Sequence, residues 1–499
     1  MIETHDFAQD AYLGDDGYVL GLLEGLREIE LRLIPTGLHV LDQPLPSSSV
    51  EDVLALAAEH QPPPVLARLR QELASCDEGE AILRALDGRY LPPSSGGDVI
   101  RNPAAVPTGR NLHGLNPALI PTAYALRAAV RAADQLLERA QAEQGAYPRS
   151  VGLVLWGTDN LKTDGEAIGQ ALALIGVEPQ LDDLGRVHDV RLVPLDRLGR
   201  PRVDVVITAS GIFRDLFAHH LDLLDRAFRL AALADEPPER NFVRANTLAI
   251  AAELEVPLEE AALRIFSNAP GTYGTNVNFA VESSAWSAEE ELARIFLSRK
   301  SFVYGRGVEG AQNGQLLERM LAGVDATFQN VDSLEFGLTD IDHYNEYLGG
   351  LTRAVEQIRG RRPAAYVGDF VMPQGKVRSV EEMVALETRT KTLNPRWYEG
   401  MLAHGYEGVR EIESHVTNTF GWSATCRAVP GWVYDAIVRT YVDDEALLNR
   451  LRELNPHAAR GLLARLLEAS TRGYWQPSPE TLAELRRRYL DLEDGLERL

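Results

Sequence analysis

Two cysteines, Cys76 and Cys426, are all that the 499 residues contain. So few thiols, so far apart, exclude a disulfide framework and any Cys-based zinc or iron–sulfur centre. No G-x-x-x-x-G-K-[ST] loop occurs, so the chain lacks the phosphate cradle and lysine with which P-loop proteins hydrolyse ATP. Long apolar runs are missing too. VGLVLWG (151–157) and VDVVITASGIF (203–213) fall well short of the roughly 20 apolar residues that span a bilayer. Met1 is followed by Ile-Glu-Thr-His-Asp, which has neither the basic start nor the apolar run of a signal peptide, so a cytoplasmic location is expected. Basic residues are outnumbered, with Lys+Arg 50 against Asp+Glu 73, for a formal charge of −23. A surface of that sign repels nucleic acid and anionic lipid, and it suits a divalent cation or a basic partner protein.

What is present is the composition of an ordinary globular chain, 45% hydrophobic and 25% charged. At this length one core does not suffice, and about three or four domains are expected. Residues 1–95 read as helical. VLGLLEGLREIELRLI (19–34) has apolar positions at helical spacing, and PLPSSSVEDVLALAAEH (44–60) offers a Ser N-cap before an amphipathic run. LPPSSGGD (91–98) is a hinge, and a loop-rich stretch (101–122) leads into a helix over 123–144. Then come a β-rich run at VGLVLWG, a helix over 166–177, a short strand over 190–195, a buried strand over 203–210 and a helix over 213–234. That cadence belongs to a parallel, doubly wound sheet. Strands are expected again at 302–305 and 364–370, a helix at 315–324, and helices from about 379 onward. The fold class predicted is α/β and multi-domain, a parallel α/β sheet core flanked by largely helical N- and C-terminal segments. Four parts are expected: a helical segment 1–95, an α/β domain 96–270, a second α/β portion 271–378 and a helical domain 379–499.

Chemistry concentrates in a few loops. Gly305-Arg306-Gly307-Val308-Glu309-Gly310 has the GxGxxG form but a poor context for a dinucleotide, and it reads as a Gly-rich turn. Pro107-Thr108-Gly109-Arg110-Asn111 carries a forked guanidinium that can clamp a carboxylate or tie two loops together. The segment from Trp156 to Thr163, with Asp159 and Lys162, follows a strand directly. Ser210-Gly211-Ile212-Phe213-Arg214-Asp215 does the same, and α/β proteins place ligands outside such strand ends. These two loops are expected to be neighbours. In Asp340-Ile341-Asp342-His343-Tyr344-Asn345-Glu346, a helical conformation puts His343 and Glu346 on one face, where they could take up protons or coordinate an ion. The alternative is a His–Glu pair on a solvated helix. His404 and Glu407 repeat the spacing; beside Gly405, His404 reads as a packed turn histidine or an axial ligand.

Read together, these loops stop being generic. GGDVIRNP (96–103), PTGRN (107–111), LWGTDNLKTDGE (155–166), LGRPRVDV (198–205), SGIFRDLF (210–217) and PGTYGTN (270–276) occur in that order. TFQNVDS (327–333), NPRWYEGMLAHGYEG (394–408), FGWSAT (420–425) and RGYW (472–475) follow. The set resembles the large subunit shared by magnesium chelatase and aerobic cobaltochelatase. GGDVIRNP, WGTDNLKTDGE and SGIFRDLF are similar to the magnesium branch, whereas Tyr347-Leu348-Gly349-Gly350-Leu351 is similar to the cobalt-type YxGGL. Glu346 stands where the magnesium branch tends to carry Asp.

The resemblance implies a porphyrin-binding, C-terminal part of a chelatase subunit in (bacterio)chlorophyll biosynthesis. Mg²⁺ is then the substrate ion and protoporphyrin IX the substrate. ATP enters only through two AAA+-type partner subunits, and the missing N-terminal portion of the large subunit supplies further cavity walls. Within the matching motifs, His343, Glu346 and Asp342 are the candidates for catalysis, with His343 and Glu346 as metal ligands. Arg110, Asn111, Trp156, Asp159, Lys162, Arg202, Arg214, Asp215, Tyr273 and His404 are the candidates for holding the macrocycle. Two other readings stand beside this one: a non-catalytic porphyrin carrier or sensor, and a cobaltochelatase-type subunit acting in cobalamin biosynthesis. A sugar- or nucleotide-modifying α/β enzyme has only the sheet cadence and the GxGxxG behind it.

Overall fold

The computed structural model describes residues 39–497 apart from breaks at 59–60, 95, 97–98, 101, 112–118, 184–185, 334 and 371–374. The helix expected over 19–34 lies outside the described residues.

Near-continuous apolar runs set the centre of the molecule. β1 (Ser150–Leu155), β4 (Asp204–Ala209) and β8 (Ala326–Val331) are buried at every position. Strands of that kind are covered on both faces, as in parallel sheets. They join β5 (Ile265–Ser267), β6 (Phe302–Gly305), β7 (Val308–Gln312), β9 (Ala364–Asp369) and β10 (Lys376–Ser379) in one sheet of order β10-β9-β8-β1-β4-β5-β6-β7. The five central strands are parallel. Both edges are antiparallel. The Gly305–Gly310 run is the turn of the β6–β7 hairpin, and Gly307, at φ 79, occupies the left-handed region that glycine tolerates.

Helices cover both faces. The helices Ala123–Gln144, Glu166–Ile175 and Ala218–Leu233 share one apolar core with the sheet. On the opposite face, a larger core runs from Val154 and Val206 through the C-terminal helices to Leu485 and Leu492. A small separate cluster, Val50 to Ile100, packs the N-terminal helices together. Burying one Leu, Ile or Phe in such a core is worth roughly 1.5–3 kcal/mol. Among the described residues no helix is long and apolar enough to cross a membrane.

Four expectations need correcting in detail. Strands from both sides of position 270 enter one sheet, so a division at 270/271 does not separate two sheets. The strand near 190 is β3 (Val187–Leu192), which leaves the main sheet and pairs antiparallel with β2 (Val177–Leu181). Only Val187 and Val190 of its six residues are buried, so it lies outside the continuous apolar centre. The helix expected over 213–234 is two, Gly211–Leu216 and Ala218–Leu233, broken at the non-helical Phe217. The helix Ser47–Ala57 has Pro46 at its cap position and no side-chain cap, so Ser47 is already helical.

Candidate functional site

Chain order reverses around β1: β4 and β5 build outward on one side, β8 and β9 on the other. A crevice forms at such a reversal, outside the carboxyl ends of the strands. The loops after β1 and β8 are joined across it. The Trp156 indole Nε1 donates to Gln329 Oε1 at 3.3 Å, and Lys162 Nζ lies 3.1 Å from the Asp332 carboxylate. Behind Trp156 stand Tyr344 and Tyr347, with ring centroids at 5.8 and 4.5 Å. Asp159 is buried in the helical turn Gly157–Lys162.

The loops after β1 and β4 are neighbours, as expected. Gly157 N donates to Ser210 Oγ at 3.2 Å, and Ser210 also caps the helix Gly211–Leu216 by accepting from Phe213 N. The approach is so close that a Cβ on Gly157 would sit 2.5 Å from Ile212. Only glycine allows the two loops to meet here.

Two of the arginines assigned to the macrocycle are ties within the protein. The Arg202 side chain is 0% exposed; it pairs with Glu236 and donates to the carbonyls of Ile175, Gly176 and Val193. Arg214 Nη1 donates to the carbonyls of Asn268, Ala269 and Thr272, and its other nitrogens pair with Asp215. Arg214 thus fixes the 268–272 loop. Burial pulls its guanidinium down, but the bond and charge of Asp215 together with Tyr304 hold it above its ordinary value. The half-exposed Tyr273 donates from its hydroxyl to Asp215 at 2.6 Å and is what this unit offers to the crevice.

The positioned loop holds Glu346. Thr275 N and Asn276 N (2.9 Å) both donate to Glu346 Oε1, while His343 Nδ1 meets Oε2 at 2.7 Å. The Glu346 side chain is 1% exposed and that of His343 is 58%. The i, i+3 pair therefore forms, but it is not a pair on a solvated helix. Protein donors meet both oxygens of Glu346, which places it as the carboxylate behind the histidine. Its partner fixes Nδ1 and leaves Nε2 open, the arrangement that presents an imidazole to a metal or a proton. Burial pushes the Glu346 carboxyl up, yet the His343 bond and charge and the two amides together hold it below the ordinary value. The Glu346 bond in turn raises the His343 imidazole, against a smaller lowering by burial. Asp342, one residue before, accepts from Asn278 Nδ2 at 2.6 Å. Among the described residues, no three His, Cys, Asp or Glu side chains converge as a set that could hold an ion.

Several supporting residues carried no signal in the sequence. Lys300 is fully buried, donates to Ala209 O and Asn268 Oδ1, and lies 3.9 Å from the Tyr347 ring centroid. Burial holds its amine well below the ordinary value. The segment leading to His343 is gripped from the C-terminal helices. Glu387 accepts from Leu338 N and Thr339 N, Trp422 donates to Leu338 O, and Lys391 and His415 pair with Asp340. Burial pushes the Asp340 carboxyl up, but Lys391 and His415 hold it well below the carboxylate range. The YLGGL run is explained by the same packing. A Cβ on Gly349 would lie 2.3 Å from Thr425 Oγ1, and one on Gly350 would lie 2.7 Å from Phe296.

Three assigned positions, Arg110, Asn111 and His404, are held by other parts of the chain. The PTGRN loop is braced on the N-terminal segment: Thr108 donates to Glu78, Asn111 Nδ2 donates to Ala105 O and Ser94 Oγ, and the Arg110 carbonyl accepts from Ser94. His404 sits in the turn between the helices Pro395–Leu402 and Tyr406–Cys426, where its backbone N–H donates to Met401 O.

The sequence model of the CobN/Magnesium Chelatase family matches residues 64–482. The chain is 48% identical over 476 residues to the H subunit of the magnesium chelatase of Cereibacter sphaeroides, covering 95% of this chain and 39% of that one. It is 50% identical over 419 residues to the chloroplastic magnesium-chelatase subunit ChlH of Oryza sativa subsp. japonica, covering 83% and 30%. The solved catalytic subunit of cobaltochelatase from Mycobacterium tuberculosis superposes with a TM-score of 0.91 at 33% identity, covering 98% of this chain and 48% of that one. The chain thus spans about two fifths or less of the length of these curated relatives. With the family model matching residues 64–482 and the identity spread over 95% of its length, the chain belongs to the CobN/magnesium chelatase family.

Proposed function

We propose that the chain is the porphyrin-binding, C-terminal part of the large subunit of an ATP-dependent magnesium chelatase, inserting Mg²⁺ into protoporphyrin IX in the cytoplasm. The observation that carries this reading is the His343–Glu346 pair, whose half-exposed imidazole keeps Nε2 open while its carboxylate is anchored by the Thr275 and Asn276 amides. Insertion requires two pyrrole N–H protons to leave while the cation sheds water, and Mg²⁺ dehydrates reluctantly. His343 is suited to receive a proton, or to hold the ion at the macrocycle face, with Glu346 keeping the tautomer and stabilising the imidazolium. The exposed apolar side chains of Ile212, Leu216, Tyr273, Phe279 and Phe336 follow β4, β5 and β8 and suit a flat tetrapyrrole. Lys162 and Arg110 are the cations closest in kind to what propionates need, Lys162 once its Asp332 bond is exchanged. Two AAA+-type subunits would supply ATP hydrolysis, and the N-terminal portion of the large subunit the remaining walls.

Magnesium is favoured over cobalt by the higher identity to magnesium-type relatives, 48% against 33% for the cobaltochelatase structure. The cobalt-type YLGGL has a packing cause, so it does not weigh against this. The test is reconstitution: the chain, the N-terminal portion and both ATPase subunits with MgATP and protoporphyrin IX, followed by Soret absorbance. Magnesium protoporphyrin formation is the expected result. Binding without insertion by the full set would make the chain a carrier, and insertion of Co²⁺ alone would assign it to the cobalt branch.

A further inference from the structure

Beside Asp342 lies an open-sided cavity of about 330 Å³ lined by the helix Val277–Glu282, the 340–345 segment and the helices Tyr406–Cys426 and Pro456–Thr471. Its wall carries Glu282, Asp340, Asp342 and Glu413, with Arg465 as the one cation among the described lining residues. Arg465 is already committed to Glu468 and to the carbonyls of Val281 and Glu282. Lys391 and His415 answer the charge of Asp340. Asp342 has the His343 imidazole at 3.8 Å, and Glu413 accepts from Thr417 and feels Arg465 and Arg410, so three carboxylates still share the cavity wall with one lining cation.

An acidic lining alone is common and says little. The second observation is independent of it. Asn278 and Asn345, 4% and 2% exposed, line the same cavity, and the Oδ1 of each is buried without a hydrogen-bond partner. The orientation of Asn278 is secured because its Nδ2 donates to Asp342 at 2.6 Å, so the orphan atom is a carbonyl acceptor. Buried acceptors without donors cost about 1–3 kcal/mol each and call for a donor or a cation.

We propose that this cavity is a staging site for a hydrated, oxygen-preferring divalent cation, held between Asp342, Glu413 and the Asn278 and Asn345 carbonyls before it passes to His343. The inference rests on the chelatase reading for its purpose but not for its chemistry. Six water molecules occupy roughly 180 Å³, so a hexahydrated ion fits the cavity. Mg²⁺ characteristically keeps most of its waters and meets one or two carboxylates. Its waters would donate to the two orphan carbonyls and to the carboxylates. This also accords with the absence, among the described residues, of a three-ligand cluster for a bare ion. Burial raises the Glu413 carboxyl above its ordinary value and Glu282 adds to the rise, against the Thr417 bond and the Arg465 and Arg410 charges.

The experiment is a Mn²⁺ titration of the full chain without porphyrin, read by the loss of the free aqueous Mn²⁺ electron paramagnetic resonance signal, with Mg²⁺ as competitor. One site displaced by Mg²⁺ is expected. Glu413→Gln should weaken it at least tenfold. No site in the wild type, or an unaltered site in a folded Glu413→Gln variant, would overturn the proposal. Should Glu413→Gln fail to fold, anomalous scattering from a Mn²⁺-soaked crystal of the wild type decides instead: density in the cavity supports the site, and density elsewhere or none refutes it. A parallel Soret titration with protoporphyrin keeps the readings apart. Porphyrin binding without a Mn²⁺ site removes this inference alone, and a Mn²⁺ site without porphyrin binding removes the chelatase reading alone.

Discussion

The loops SGIFRD and PTGRN look alike in sequence, each a short run of Gly and polar residues carrying one arginine. The structure treats them in opposite ways. Arg214 leaves the end of a buried parallel strand and is consumed by three carbonyls and Asp215. Arg110 sits in a loop whose bonds run to Glu78, Ser94 and Ala105 through Thr108, Asn111 and the Arg110 carbonyl. A strand end fixes the loop that follows it, so arginines there become struts. Among the described residues the PTGRN loop is held by other groups, so of the two arginines expected at the macrocycle Arg110 is the one whose side chain its bracing does not use.

The largest expected effects test the strut side. Arg202→Ala and Arg214→Ala should each lose about 3–5 kcal/mol of stability, because buried partners are left without their cation. Thermal unfolding measures this, and Arg110→Ala should unfold within about 0.5 kcal/mol of wild type. Equal losses in all three would erase the contrast between the loops. Next comes His343→Ala, which should lower the reconstituted insertion rate by roughly a hundredfold while leaving porphyrin affinity within a few-fold. An unchanged rate would return the pair to a structural role and place the base in the N-terminal portion.

A smaller effect sharpens the other side of the comparison. Arg110→Ala should weaken protoporphyrin binding about tenfold in a Soret titration, the scale of one charge-assisted contact to a propionate. Unaltered affinity would make PTGRN a brace only. The smallest effect is pH-dependent. Glu346, held below its ordinary value, adds stability that is present above 4.5 and lost as pH falls through the lowered value. His343, held above its ordinary value, adds stability that is complete below 6.5 and lost as pH rises through the raised value. The unfolding midpoint of wild type should therefore exceed that of Glu346→Gln most between pH 4.5 and 6.5 and converge with it on either side.

Much of the fold was legible because it is written in local pattern. The buried runs at 150–155 and 204–209, the helix Ala123–Gln144 and the helical C-terminal region follow from apolar periodicity. β8 was not read as a strand because Thr327, Gln329 and Asn330 interrupt its apolar pattern. They are buried there because each finds a partner, Thr352, Trp156 and Gln170 respectively. β5 escaped notice because three residues are too few for a period.

For the site, the sequence alone determined which loops follow the central strands and that His343 and Glu346 would share a helical face, since both depend on neighbours within a few residues. Tertiary structure alone decided that Glu346 is buried under the Thr275 and Asn276 amides, that Lys300 lies behind Tyr347, and that Arg202 and Arg214 are struts. The Glu346 partners lie about 70 residues away in the chain. No local spacing encodes such a contact, because it is the order of strands in the sheet, β5 on one side of β1 and β8 on the other, that brings the two loops together.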